Sequence, residues 1–260
     1  MRHELKIDDR TLSYLDFGGT GRPLLALHGG MSEGAHFTGL AAALGDEWRV
    51  IAPDQRGHGD SDRAAEYSRE GYVSDAVALL EHLGLAEPLP VLGFSLGGLN
   101  AYHLAARHPG LVSALVNAEA PVEIVRGDGP DFWDFLHHLP YTAPTREELI
   151  TAAGPLGEMV GPALRLLPDG SGWRLPFDPQ ATLDTLAAGY GDRWDVWLAS
   201  RCPALLIHGL RSDVLLREQA DAMVARRPGT SYTALDTEHF APFQDPQGFH
   251  EAVRKFLAGL

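Results

Sequence analysis

The chain has 260 residues, of which 45% are hydrophobic and 22% charged, the balance of a globular protein with one large core. Its 21 Lys and Arg against 35 Asp and Glu leave a net charge of −14, which argues against a nucleic-acid or anionic-membrane partner. Cys202 is the only cysteine, so an internal disulfide is excluded, and no stretch approaches the roughly 18 apolar residues of a membrane span. Met1-Arg2-His3-Glu4-Leu5-Lys6 lacks the apolar region of a signal peptide, so a cytoplasmic address is expected.

In chain order, residues 2–7 and 11–17 predict an opening hairpin around Asp8-Asp9. Pro23 to His28 reads as a buried strand, His36 to Leu44 as a helix and Arg49 to Pro53 as the next strand. A helix follows from about Arg69 to Leu83, then the apolar strand Leu89 to Gly93, a helix from Leu99 to His108 and a sixth strand from Leu111 to Ala118. Regularity then stops. From Pro121 to about Asp192 prolines and glycines are frequent, and only short amphipathic segments occur, at Asp131–Leu139, Thr145–Ala153, Leu156–Leu167 and Gln180–Ala188. Alternation resumes with a strand at Pro203 to His208, a helix from about Leu216 to Arg227, a strand at Ser231–Leu235 and a final helix from Pro246 to Leu257. Strands alternating with helices imply an α/β architecture, a mostly parallel sheet covered on both faces.

Gly93-Phe94-Ser95-Leu96-Gly97 carries the strongest chemical signal. It reads Gly-x-Ser-x-Gly between an apolar strand and a helix, where a sharp turn holds the serine in a strained conformation with its hydroxyl clear of the sheet. Asp213 follows one later strand and His239 follows the next, so the chain order is Ser, Asp, His. No HExxH, paired CxxC or phosphate-binding glycine loop occurs, so neither a metal nor another cofactor is expected.

With these motifs the chain resembles the α/β-hydrolase fold superfamily over nearly its whole length. Leu27-His28-Gly29-Gly30 looks like the family's oxyanion strand end, and Asp54-Gln55-Arg56-Gly57-His58-Gly59-Asp60-Ser61 is similar to its D-x-R-G-x-G-x-S turn. His239-Phe240-Ala241-Pro242-Phe243-Gln244-Asp245-Pro246 resembles the histidine loop that runs into the last helix. The resemblance implies a core of residues 1–120 and 193–260, with 121–192 inserted after the sixth strand as a helical cap roofing the site. Phe132, Trp133, Phe135, Trp173 and Phe177 would give that cap an aromatic inner surface.

A serine hydroxyl needs a neighbouring base to become a nucleophile. Of the 12 histidines, His239 alone follows the last strand, on the loop that reaches back over the serine in this fold. Asp213 would accept a hydrogen bond from the other ring nitrogen and fix the tautomer. Glu119, at the end of the sixth strand, is the alternative acid, since some relatives, zearalenone-type lactonases among them, carry their acid there. The Leu96 backbone N–H and that of Gly30, or else Met31, would hold the oxyanion. Met31, Phe94, Phe132 and Trp133 are candidates for the pocket wall, Glu238 is expected to face solvent, and Cys202 to be a small buried residue at a strand entry. The function expected is serine acyl-enzyme hydrolysis of a small, largely apolar carboxylic ester or lactone. The alternatives are a non-hydrolytic ligand receptor on the same fold and a hydrolase of thioesters or C–C bonds. The partners expected are a small-molecule substrate and, at most, a second copy of the chain, as monomer or homodimer.

Overall fold

The computed structural model describes residues 1–126 and 132–260, with Phe132 and Pro155 described by backbone alone. Strands β1 (Arg2–Ile7) and β2 (Arg10–Asp16) form the opening hairpin, with Leu5 opposite Leu12. Strand β3 (Arg22–Leu27), helix α1 (Thr38–Leu44), β4 (Trp48–Pro53), α2 (Arg69–His82), β5 (Leu89–Phe94), α3 (Leu96–Arg107) and β6 (Val112–Ala118) follow in alternation. An insertion comes next, with β7 (Glu123–Ile124), β8 (Thr142–Ala143), α4 (Arg146–Ala152), α5 (Gly157–Val160), β9 (Arg165–Leu166), β10 (Trp173–Arg174), α6 (Pro179–Ala187) and β11 (Gly191–Asp192). Helix α7 (Trp194–Ala199), β12 (Ala204–Gly209), α8 (Arg217–Arg226), β13 (Thr230–Leu235), α9 (Ala241–Gln244) and α10 (Pro246–Ala258) complete the chain.

Eight of the described strands make one sheet in the order β1-β2-β4-β3-β5-β6-β12-β13. The pairs from β4 to β13 are parallel, while β1 and β2 join antiparallel at one edge. Central strands buried on both faces read as continuous apolar runs, and β3 and β5 do so. Their side chains alternate. Leu25 and Leu27 join Tyr102 and Trp197 on the face covered by α2, α3 and α8, whereas Leu24 and Ala26 join Phe37 and Phe249 on the face covered by α1 and α10. The caps are those expected of isolated helix starts: Ser68 accepts from the Gly71 N–H ahead of α2, and Asp245 from the Gly248 N–H ahead of α10.

The insertion departs from the expected run of amphipathic helices. The segment 156–167 breaks into a 3-10 turn, the single helical turn α5, a second 3-10 turn and strand β9, because Gly157, Gly161 and Pro162 interrupt the helical ladder. Strands β8, β10 and β9 then form a small antiparallel sheet, and β11 pairs with β7 at the base of the insertion. Phe177, Leu136, Leu149 and Leu175 form a separate buried cluster with Met31, and Phe135 and Trp173 pack against it. These rings therefore build the insertion's own core and do not line a roof, with Trp133 the exception taken up below. The segment 127–131 and the Phe132 side chain lie outside the described residues.

Three buried histidines and a half-buried one set a pH limit on this fold. Burial pushes His36 and His103 down to about 4. The same desolvation depresses His28 and His58, each of which also uses its Nδ1–H on a backbone carbonyl. The unfolded chain binds protons at these positions below about pH 6.5 while the folded chain does not, so the stability they contribute is present above that pH and lost on acidification. Thermal unfolding between pH 7.5 and 4.5 should show the melting temperature falling steadily below pH 6.5. Each histidine adds a slope of up to about 1.4 kcal/mol per pH unit. His103→Gln should flatten the profile, and a melting temperature unchanged down to pH 5 would show that these imidazoles are not held neutral.

Candidate active site

The serine turn takes its shape from two close backbone approaches. A Cβ at Gly93 would lie 2.1 Å from the Gly97 carbonyl oxygen, and one at Gly97 would lie 2.0 Å from that of Leu27. Only glycine fits at either position. Ser95 between them sits at φ 51°, ψ −114°, outside the regions favoured by L-residues, at the N-terminus of α3. Among the described non-glycine residues with positive φ are Met31 (59°), Ser95 (51°) and Glu119 (60°), which follow β3, β5 and β6, three neighbouring strands.

Ser95 Oγ lies 2.9 Å from His239 Nε2, and His239 Nδ1 lies 3.1 Å from Glu119 Oε2. The carboxylate can only accept at Nδ1, which fixes that nitrogen as the N–H donor and leaves the Nε2 lone pair for the serine hydroxyl. Glu119 is fully buried, His239 is 7% exposed, and Phe94 packs beside the imidazole at a centroid distance of 5.4 Å. The remaining acceptor capacity of Glu119 is used as well. Its Oε1 accepts from the Gly209 N–H at 2.6 Å, and Oε2 accepts from the Ser212 hydroxyl at 2.5 Å.

The expected partner of His239 was Asp213, and here the structure differs. Asp213 is exposed at the cavity mouth and makes no hydrogen bond or ion pair among the described residues. One position earlier, Ser212 takes the inward place on the same loop. Its Oγ donates to Glu119 and accepts from the Leu215 N–H at 3.2 Å. With the inward position held by a hydroxyl and the adjacent strand end by a carboxylate, the negative charge beside the imidazole comes from β6.

Gly30, Met31 and Leu96 line the same cavity as Ser95, and no hydrogen bond from their N–H groups to a protein acceptor occurs among the described residues. Leu96 opens α3, so its amide has no partner within the helix. The cavity measures about 900 Å³ and is bounded by both core and insertion. Met31, Phe94 and Trp133 line it as expected, and Phe240 adds a ring from the histidine loop. Arg69, Thr185 and Tyr190 also line it and were not singled out from sequence. An arginine directly after a helix N-cap ordinarily faces water, so nothing local marked Arg69 as inward. Glu238 is exposed as expected; Cys202 lies away from the cavity and, where burial was expected, is half-buried against the core beside β12. Among the described residues no group of three or more His, Cys, Asp or Glu side chains is placed to hold a metal ion. No described helix is long and apolar enough to cross a membrane.

The α/β hydrolase fold family model matches residues 22–246, and the chain belongs to that family. It is 30% identical to a 3-hydroxybutyrate-oligomer hydrolase of Cupriavidus necator, over 90% of this chain and 89% of that protein. It is 27% identical to a pimeloyl-acyl-carrier-protein methyl ester esterase of Aeromonas hydrophila, over 92% and 96% respectively. The fold is shared with an enol-lactonase of Burkholderia xenovorans LB400 at a TM-score of 0.79 and 20% identity, covering 98% of this chain and all (100%) of that one.

The geometry separates the two carboxylates experimentally. Glu119→Gln should lower kcat by about 10³–10⁴-fold, the scale seen when a triad acid becomes an amide and the imidazole loses its tautomer preference. Asp213→Asn should change it by less than about threefold, as expected of an exposed residue without a partner. Steady-state rates on any turned-over ester check this, and the reverse ranking would return the acid to the β12 loop.

Proposed function

We propose that this α/β hydrolase cleaves a small carboxylic ester or lactone through an acyl-enzyme on Ser95, with His239 as base and Glu119 as the third member of the triad. The observation that carries the reading is the continuous relay from Ser95 Oγ through the His239 ring to Glu119, at 2.9 and 3.1 Å. Both distances are within hydrogen-bond reach, so His239 can take the serine proton while Glu119 holds the ring. Hydrolases of esters and oligoesters among the relatives support the same bond class.

In the forward step Ser95 Oγ attacks the carbonyl carbon while its proton passes to His239 Nε2. The carbonyl π pair moves to oxygen, and the oxyanion sits against the Leu96 N–H and the free amides of the Gly30-Met31 loop. The imidazolium formed is stabilised by the buried Glu119 carboxylate. Collapse expels the alkoxide, protonated by His239, and leaves the acyl group on Ser95. Water then repeats the sequence, giving its proton to His239 and releasing the acid. Insertion residues such as Trp133 and Tyr190 border the cavity over this site, consistent with a cap that limits the size of the substrate. The strained φ of Ser95 keeps its hydroxyl aimed at the cavity without a rotation during attack.

Ser95→Ala removes the nucleophile and should leave only the residual catalysis of about 10³–10⁴ over water that oxyanion contacts and binding supply. A serine-directed phosphonate should add one equivalent, located by peptide mass at Ser95. Retention of more than a few per cent of activity in Ser95→Ala, or labelling at Cys202 instead, would overturn the mechanism. A protein that turns over no ester or lactone, yet is stabilised by one, would fit a receptor instead.

A further inference from the structure

Arg69 is a buried cation on the cavity wall with no anion paired to it among the described residues. It opens α2, is 5% exposed and borders the same cavity as Ser95. Its Nη1 donates to Asn100 Oδ1 at 2.7 Å and its Nη2 to the Thr185 carbonyl at 2.9 Å, both neutral acceptors, while Nε has no acceptor. Three carboxylates border the cavity, Glu123, Asp134 and Asp213; all are exposed, and no ion pair joins any of them to Arg69 among the described residues. Desolvation pulls the Arg69 pKa down; Tyr72, Tyr102 and, last, Glu70 oppose it, while Arg193 adds to it, and Glu70 itself is paired with Arg107.

A guanidinium remains charged in proteins, so leaving it buried without a carboxylate is costly unless a ligand completes it. The neighbours fix its plane. Asn100 is itself held by donating to Gln55 Oε1 at 2.7 Å, and Tyr72 lies against the guanidinium at 5.3 Å while its hydroxyl bonds Thr185 Oγ1 at 2.7 Å. The two bonds tie α2 and α3 to α6 of the insertion but leave part of the donor fork unused. Packing alone would be served by a neutral side chain at lower cost.

We propose that Arg69 is a substrate-binding residue that receives a carboxylate, so that the preferred ester or lactone carries an anionic group besides the bond that is cleaved. The inference rests on the hydrolase reading of Ser95 for its assay, and on the buried, unpaired cation for its content.

Three matched pairs of p-nitrophenyl esters test it: hydrogen succinate with butanoate, hydrogen glutarate with pentanoate, and hydrogen adipate with hexanoate. The members of a pair differ in the terminal carboxylate at equal acyl chain length. The wild-type protein should favour the charged member of at least one pair by about tenfold or more in kcat/KM, the scale of a charge-assisted hydrogen bond out of water. Arg69→Gln should erase that preference through KM while the neutral ester keeps its rate within about threefold, and Arg69→Lys should retain part of it. A wild-type preference for the neutral member in all three pairs overturns the proposal, as does an Arg69→Gln variant that slows both members alike. Because Arg69→Gln can fail to fold, and because the esters can fail to turn over, a binding arm stands beside the kinetics. Glutarate should raise the melting temperature of the Ser95→Ala protein where glutaramide at equal concentration does not. Equal effects, or none, count against Arg69 whatever the kinetics show. Absence of ester turnover with glutarate-specific stabilisation would sink the hydrolase reading and leave the anion site standing.

Discussion

A carboxylate with no exposure to water is the constraint around which the rest of the site is arranged. Removing Glu119 from solvent costs several kcal/mol by order of magnitude, so it persists only where donors surround it. Three do, each from a different stretch of chain: the Gly209 N–H at the end of β12, the Ser212 hydroxyl on the loop beyond, and the His239 ring after β13. Satisfying one buried charge thus fixes the relative positions of three carboxyl-terminal strand ends. It also explains the glycine at 209. A Cβ there would lie 2.4 Å from the Glu238 carbonyl oxygen, so only glycine lets the histidine loop rest on the strand end.

Strain is gathered at the same place. Ser95 and Glu119 adopt left-handed φ values directly after β5 and β6, and Met31 does so four residues beyond β3, at roughly 1–3 kcal/mol each. What holds them is packing on the strand side, where β3, β5 and β6 are buried on both faces and cannot shift register without moving Leu25 and Leu27 out of one core and Leu24 and Ala26 out of the other. At Glu119 the clamp is visible. Its N–H donates to the Ile207 carbonyl, and the Asn117 amide closes the turn by accepting from the Ala120 N–H and donating to the Ala120 carbonyl. The core therefore stores stability that the site spends on three awkward backbone conformations.

Sequence alone carried the sheet, the serine turn and the histidine because each rests on a short-range rule: buried runs of period two, glycines flanking a tight turn, a loop after the last strand. The acid rests on no such rule. Glu119 and Asp213 both follow strands, β6 and β12, that are neighbours in the sheet, and which carboxylate meets the imidazole depends on a one-residue difference, Ser212 inward and Asp213 outward. Nothing within the loop sequence fixes that choice. The insertion was legible as an irregular segment but not in its parts, since two-residue strands such as β8 and β10 bury too little to leave a periodic signal. Arg69 escaped for the opposite reason. Its inward turn follows from contacts with Asn100 and Thr185, 31 and 116 residues away.

The turn Asp54–Ser61 shows how the two halves of the cavity keep a common reference. Toward the core, Asp54 Oδ1 accepts from the Gly34 N–H, and Gln55 grips His28 at both the ring and the carbonyl, which steadies the loop carrying Gly30 and Met31. Toward the insertion, the Gly59 N–H donates to the Pro176 carbonyl at 2.6 Å, and the Gly57 carbonyl accepts from the Asp178 N–H at 3.0 Å. Asp60 pairs with Arg165 and Arg174 of the insertion, and Arg165 reaches on to Glu33, just after the loop that carries Gly30 and Met31. Ion pairs of this partly exposed kind contribute little individually, but as a network in one geometry they select a position. A single turn is thus bonded both to the insertion and to the loop that carries Gly30 and Met31, so the two walls of the cavity share one anchor. A site that recognises two ends of one small molecule requires that kind of common anchor.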